Sequence, residues 1–245
     1  SNMVNSREVR KAVEGTIEEA PSRPRRIRFF RKQMLNMLSI ALGGIDDVEV
    51  IPSRNTFALR SWIDQREKEV YPTMEGYTPS AAGGVSDEFV LDYPEKLPDA
   101  LRGEKYAFVT LPLSEFLEGN VNEENVGTGR ICPIPGVDGM PGTTPSPETM
   151  IPGWLVLSPR ADSLARWMAS LELAFLRADL KKKSVVLEVG LSTQYQVARI
   201  MDEQKQEAEG FEAAKRKAAG LHFIAVQTEP EDEEVAGFFL LQEAA

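Results

Sequence analysis

The sequence predicts an α/β or α+β protein with mixed sheets and helices, and three observations predict it. Short apolar runs bounded by turn residues alternate with longer stretches of helical period, so strands and helices interleave along the chain. Apolar residues make up 42% and aromatics 8% of 245 residues, enough for real cores. A corner also recurs. Strand Val48–Ile51 runs through Pro52-Ser53-Arg54 into a helix with Leu59 and Trp62, and strand Trp154–Leu157 runs through Ser158-Pro159-Arg160 into a helix with Leu164 and Trp167. The arginine-to-tryptophan spacing is eight residues in the first and seven in the second, which leaves open one mixed system or two related α/β modules.

The elements follow in order. Ser1-Asn2-Met3 is the opening expected of a chain trimmed from something longer, and a helix follows over Ser6–Ala20 with Val9, Val13 and Ile17 on one stripe. Pro21 and Pro24 interrupt it, and Arg25–Phe30 alternates as a strand, with Ile27 and Phe29 on one face and Arg26, Arg28 and Phe30 on the other. Arg31–Leu42 reads as a helix apolar nearly all round, hence buried, stopped by Gly43-Gly44. After strand Val48–Ile51, a helix carries Leu59, Trp62, Ile63 and Val70 and ends before Pro72. Residues 73–104 read as linker, Tyr106–Leu111 as a strand, and 119–150 as a long Gly/Pro loop, ten of the 21 residues from Gly127 to Pro147 being Gly or Pro. Beyond strand Trp154–Leu157, Arg160–Leu180 is expected as one helix, Val185–Val189 as a strand, and Thr193–Ala219 as a helix broken near Gly210. Strands Leu221–Gln227 and Gly237–Gln242 flank an acidic turn at Glu229–Glu234. Three regions result: a basic module over 1–72, the linker, and an acidic module over 105–245.

Charge locates the candidate site. The net charge is −10, yet six of the ten residues from Arg23 to Lys32 are basic. Residues 1–72 hold 13 Lys/Arg against 10 Asp/Glu, whereas 111–245 hold 12 against 21. A cationic cluster on an acidic background suits a phosphate-bearing partner. Arg26 and Arg28, about 6.6 Å apart on one strand face, could grip consecutive phosphates, with Phe30 as a stacking surface and Arg25, Arg31 and Lys32 extending the patch. The competing reading makes Phe30 core and pairs the arginines with Asp46, Asp47 or Glu49. Arg54 and Arg160 stand at strand-to-helix corners, where a phosphate could sit or where Ser53 and Ser158 simply cap the turn.

Catalytic chemistry finds little support. Cys132 and His222 are the lone residues of their kinds, which excludes an internal disulfide, a zinc finger and any multi-histidine metal site and suits a reducing compartment. His222 shares a strand face with Ile224 and Val226, as a packed histidine does. Asp179 and Glu188 bracket Lys181–Lys183 like nuclease acids, but Val189-Gly190 follows without the lysine such sites use. No cofactor and no metal is expected, and no segment is apolar enough to cross a membrane.

Several segments, in order, resemble the Tab-type translation activators of chloroplasts and cyanobacteria: Ile27-Arg28-Phe29-Phe30-Arg31 with Gln33-Met34, Pro52-Ser53-Arg54, and Leu97-Pro98-Asp99-Ala100-Leu101-Arg102-Gly103. The likeness continues through Ser158-Pro159-Arg160-Ala161, Trp167-Met168, Glu209-Gly210-Phe211-Glu212, His222–Gln227 and Gly237–Glu243. This resemblance implies an RNA-binding protein, not an enzyme. It would activate translation at the 5′ untranslated region of the message for PsaB, a photosystem I reaction-centre subunit, together with other proteins. It implies the chloroplast stroma, or the cytoplasm in a cyanobacterium. The family's usual Trp-x-Leu-Asp-Phe strand is not found among these residues, Asn55 stands where a second arginine is usual, and Val189-Gly190-Leu191-Ser192-Thr193 replaces Thr-Gly-Ala-Ser-Asp. From the residues alone the rival reading is a scaffold whose acidic half docks proteins without touching RNA.

Overall fold

Asn5 starts the first helix, because its Oδ1 accepts the N–H groups of Arg7 at 3.0 Å and Glu8 at 3.1 Å and satisfies two orphan donors. This computed structural model describes residues 5–31, 34–77, 94–137, 140, 142–232 and 234–243. The chain forms two compact units, 1–56 and 57–245.

The N-terminal unit contains α1 (Ser6–Glu19), β1 (Arg26–Phe29), α2 (Leu35–Leu42) and β2 (Glu49–Pro52). The two strands are parallel, Arg26 opposite Glu49 and Phe29 opposite Pro52, with α2 as the crossover that parallel pairing needs. Phe29, Leu42 and Ile45 form the core, with Val13 and Ile17 of α1 packed on it. The expected helix from Arg31 is shorter, starting at Leu35, with Lys32 and Gln33 outside the described residues. Nor is it buried all round: Ala41 and Leu42 are covered while Ile40 is 69% exposed. Two strands are too narrow a surface to cover more than one helix face.

The C-terminal unit begins with α3 (Phe57–Glu69), none of whose residues is buried; the Arg66 guanidinium lies 4.9 Å from the ring centre of Trp62. Then come β3 (Glu95–Lys96), β4 (Lys105–Pro112), α4 (Ser114–Leu117), β5 (Thr128–Ile131), β6 (Met150–Leu157), α5 (Ala161–Ala169) and β7 (Leu173–Asp179). They are followed by β8 (Ser184–Val189), β9 (Thr193–Arg199), α6 (Lys205–Lys217), β10 (Leu221–Gln227) and β11 (Gly237–Gln242). A five-stranded sheet of order β4-β6-β10-β11-β5 and a four-stranded sheet of order β3-β9-β8-β7 result, both mixed. β10 is covered on both faces. Ile224 and Val226 join the core shared with α5, α6 and the smaller sheet, while Leu221, Phe223 and Ala225 join a second core with Leu113 and Phe116.

Further expectations are corrected. The helix expected over Arg160–Leu180 ends at Ala169, where the Ser170 hydroxyl donates to the Trp167 carbonyl at 2.7 Å, and Leu173–Asp179 is a strand. Its apolar run satisfies both periods, and pairing with β8 selects the extended one. Thr193–Arg199, expected as helix, is the strand after a turn at Gly190, whose φ is +56°. α6 runs unbroken through Gly210, a solvent-facing position where the loss of about 1 kcal/mol relative to alanine is too small to end a helix. The Gly/Pro loop contains β5, because Gly129 has no side chain to collide with the Phe238 carbonyl of β11. The stretch expected as linker is also anchored at its end: Glu95 and Lys96 pair with Tyr195 and Gln196, and Leu97 is buried.

Candidate nucleic-acid interface

The N-terminal cations are arranged by the β1–β2 register. Arg26 lies opposite Glu49, and its Nη2 and Nε reach one carboxylate oxygen at 2.7 and 2.8 Å. Arg23 donates to the Asp46 carbonyl at 2.6 Å. The pairing reading thus describes Arg26, through Glu49. Both of its side chains face solvent, 35% and 58% exposed, so the pair contributes about 0–1 kcal/mol and remains displaceable.

Beyond this pair the chain turns toward the carboxyl ends of the strands, the end where open α/β sheets gather ligands. Arg28 lies opposite Ile51, Phe30 follows β1, and Arg54 follows β2. The Ser53 N–H bonds the Phe29 carbonyl at 2.9 Å, and Ser53 Oγ accepts the Asn55 N–H at 3.0 Å, which fixes where Arg54 leaves the strand. The topology therefore brings Arg28, Phe30 and Arg54 to one end of the pair. All three are half-buried and engaged within the chain; Arg31, which is exposed, follows them at that end, whereas Arg25, also exposed, precedes β1 at its amino end. Lys32 lies outside the described residues.

The groups weighed for catalysis are occupied. His222 is fully buried; its Nε2 accepts the Leu176 N–H at 2.8 Å and its Nδ1 lies 2.8 Å from the Gly220 carbonyl, to which it donates. Burial foremost, then the nearby Lys215 charge, push its pKa down to about 3, so it stays neutral. Lys215 is also buried. Its Nζ donates to the Leu176 carbonyl at 2.9 Å and pairs with Glu212 at 3.1 Å and Glu243 at 2.6 Å. Glu212 in turn accepts the Ala178 N–H at 2.7 Å. β7 is the edge strand of its sheet, and these side chains satisfy backbone groups that no neighbouring strand meets. The cluster joins the sheets. Glu188, the nuclease-like acid, is buried against Gln194 at 2.7 Å and Arg177 at 3.3 Å. Burial pushes the Cys132 thiol up to about 12, far from a reactive thiolate.

Sequence reasoning missed one feature. A cavity of about 360 Å³ in the C-terminal unit carries Lys96, Arg102, Lys105 and Arg199 at its walls, above Trp154, Val156 and Val197. Three of its four cations lie within residues 96–105, interleaved with Glu95, Asp99 and Glu104 that mask them as a cluster, and the fourth, Arg199, comes from β9.

Comparison with family models matches residues 1–66 to the N-terminal and 87–242 to the C-terminal domain of the family described as RNA-binding protein Tab2/Atab2. The chain is 34% identical over 250 residues to a protein of Zea mays named Protein TAB2 homolog, chloroplastic, covering 98% of this chain and 61% of that one. It is 32% identical over 249 residues to the Arabidopsis thaliana protein of the same name, covering 98% of this chain and 64% of that one. The chain thus spans a little under two thirds of the length of these curated relatives. No solved structure matches it.

Proposed function

Because the chain belongs to the Tab2/Atab2 family of RNA-binding proteins, we propose that it binds messenger RNA and activates its translation. The target in this reading is the 5′ untranslated region of the PsaB message, engaged with other proteins in the chloroplast stroma, or in the cytoplasm of a cyanobacterium. The names of both relatives, which call them chloroplastic, support the compartment. The protein acts by binding and catalyses no reaction. Arg25, Arg26, Arg28, Arg31 and Lys32 contact phosphates, Phe30 stacks on a base, and Arg54 adds a second phosphate contact. One observation carries the reading: the match to the RNA-binding family's N-terminal domain covers residues 1–66, the stretch that holds the parallel strand pair and the arginines along and beyond it.

Filter binding to the leader RNA at two salt concentrations tests it. Affinity should fall with log salt by about 0.7 per phosphate contacted, and Arg26→Glu, Arg28→Glu and Arg31→Glu together should lower it by about tenfold or more. Binding that ignores both salt and charge reversal overturns direct contact and leaves the scaffold reading, in which the acidic C-terminal unit docks other proteins.

A further inference from the structure

We infer that β4 is a docking edge for a second copy of this chain, the two copies joining edge to edge and antiparallel about a twofold axis. β4 ends the five-stranded sheet on one side and pairs with β6 alone. The Leu113 N–H bonds the Thr149 carbonyl at 2.9 Å in the same register, so the odd-numbered residues of β4 turn their backbone groups toward β6 in the alternating ladder. The even-numbered Tyr106, Phe108 and Thr110 turn theirs outward, and no hydrogen bond meets those backbone groups among the described residues. Pro112, which has no N–H, falls on the same outward side, the side on which an edge strand tolerates proline. Such a row of open groups is a template for another strand unless something blunts it. The edge at β7 is blunted: His222 and Lys215 meet the backbone groups of Leu176, and Glu212 meets the Ala178 N–H. β5 and β3 are short, at four and two residues. β4 is eight residues long, and between Lys105 and Pro112 it carries neither charge nor proline.

Charge selects the occupant. At the amino end of β4, Lys96, Arg102, Lys105 and Arg199 surround one opening, and Glu95, Asp99 and Glu104 offset them only in part. The carboxyl end runs into Glu115, Glu118, Glu123 and Glu124, and residues 106–129 contain no lysine or arginine. An antiparallel second copy therefore sets cationic end against acidic end twice over, whereas parallel addition sets like against like. With Phe108 on the axis, Tyr106 of one copy stands opposite Thr110 of the other, an aromatic beside a β-branched residue. Lys105 then stands opposite Leu111 of the second copy, so no like charges face each other. Leu117 and Met150, 38% and 45% exposed, add apolar surface at the acidic end, where Met150 lies opposite Pro112. One strand pair is a small interface and each copy carries a net charge of −10, so the dimer is a weak one.

Sedimentation velocity of the ribonuclease-treated full chain tests this. It should show a monomer–dimer equilibrium with a dissociation constant between about 1 and 100 μM. Amide exchange at Tyr106, Phe108 and Thr110 should slow as the concentration rises, while the odd-numbered amides of β4, already paired with β6, should not respond. Thr110→Pro removes one outward N–H from an exposed position and no bond within the chain, so it should weaken the dimer by about tenfold or more while the monomer keeps its unfolding transition. Lys105→Glu with Arg199→Glu should weaken the dimer by about tenfold at low salt. Adding Glu115→Lys with Glu118→Lys to that same chain should restore it, a recovery that misfolding cannot produce. A chain that stays monomeric up to about 200 μM overturns the inference. So does a dimer that leaves the three outward amides exchanging as in the monomer, or one indifferent to both Thr110→Pro and the charge reversal.

Discussion

In the N-terminal unit Ser53 closes a parallel strand pair by donating its N–H to the Phe29 carbonyl at 2.9 Å, and in the C-terminal unit Ser158 does the same to the Gln227 carbonyl at 3.0 Å. Both serines are buried, and each Oγ accepts an N–H of the turn that follows, from Asn55 at 3.0 Å and from Arg160 at 3.1 Å. The surroundings of the two corners differ. Around Ser53 the core holds Phe29, Leu42 and Ile45, and the charged residues of β1 face solvent. Around Ser158 lies a sheet covered on both faces, whose neighbouring sheet is fastened by buried Lys215 and His222 with half-buried Glu212 and Glu243. One local device thus serves a thin unit that displays its charge and a thick unit that encloses it. Charge in the first should be almost free to change; the buried charge of the second should not.

The largest expected effect is therefore at Lys215. Lys215→Met leaves half-buried Glu212 and Glu243 without their shared cation and the buried Leu176 carbonyl without its donor, a loss of about 3 kcal/mol. Urea unfolding followed by tryptophan fluorescence measures it in the C-terminal unit alone, because Trp62, Trp154 and Trp167 all lie beyond residue 56. A shift under about 1 kcal/mol would mean that the cluster is more hydrated than its burial shows.

His222 gives the same unit a pH dependence. Its folded pKa of about 3 lies below the ordinary histidine value of 6.5, so below pH 6.5 the unfolded chain binds a proton that the folded one refuses. Stability from this group is complete above pH 6.5 and falls by about 1.4 kcal/mol per unit as pH drops toward 3. At pH 4.5 the loss is about 3 kcal/mol. His222→Gln, which keeps an acceptor for the Leu176 N–H, should flatten that slope in the fluorescence-detected transition.

In the thin unit, Leu42→Ala removes one of three buried core side chains, a loss of about 2–3 kcal/mol. Amide exchange should speed up across β1 and β2 while the tryptophan-detected transition stays in place. Coincident loss in both units would show that they unfold together.

Where local pattern and tertiary pairing agree, the fold was legible: α1, β10 and β11 fall within a residue of their expected bounds, and the packed His222 follows from the alternation around it. β7 and β9 were not legible, because Leu173–Asp179 fits both periods and only partners such as Leu187 for Leu176 and Gln194 for Glu188 decide between them. β5 hid among glycines that read as loop but permit close approach to β11. The N-terminal cations were legible as a cluster, since they are neighbours in sequence. Glu49 as the partner of Arg26 was one of three acids in view, and only register selects it. Three cations of the C-terminal cavity lie within residues 96–105, where Glu95, Asp99 and Glu104 offset them, and only the sheet brings Arg199 to them.

The smallest stability effect carries the sharpest functional reading. Glu49→Gln keeps the shape of the side chain opposite Arg26 and removes its charge, and because the pair is exposed, stability should change by less than about 1 kcal/mol. Its effect on RNA should be opposite in sign to that of the arginine reversals. Arg26 loses a competitor for phosphate, and a carboxylate that repels the RNA backbone is gone. Affinity at low salt should rise by about two- to tenfold, with a steeper salt dependence, because one more cation is free to displace counterions. An unchanged affinity and slope would place Arg26 outside the interface and confine the phosphate contacts to the carboxyl end of the strand pair, around Arg28 and Arg54.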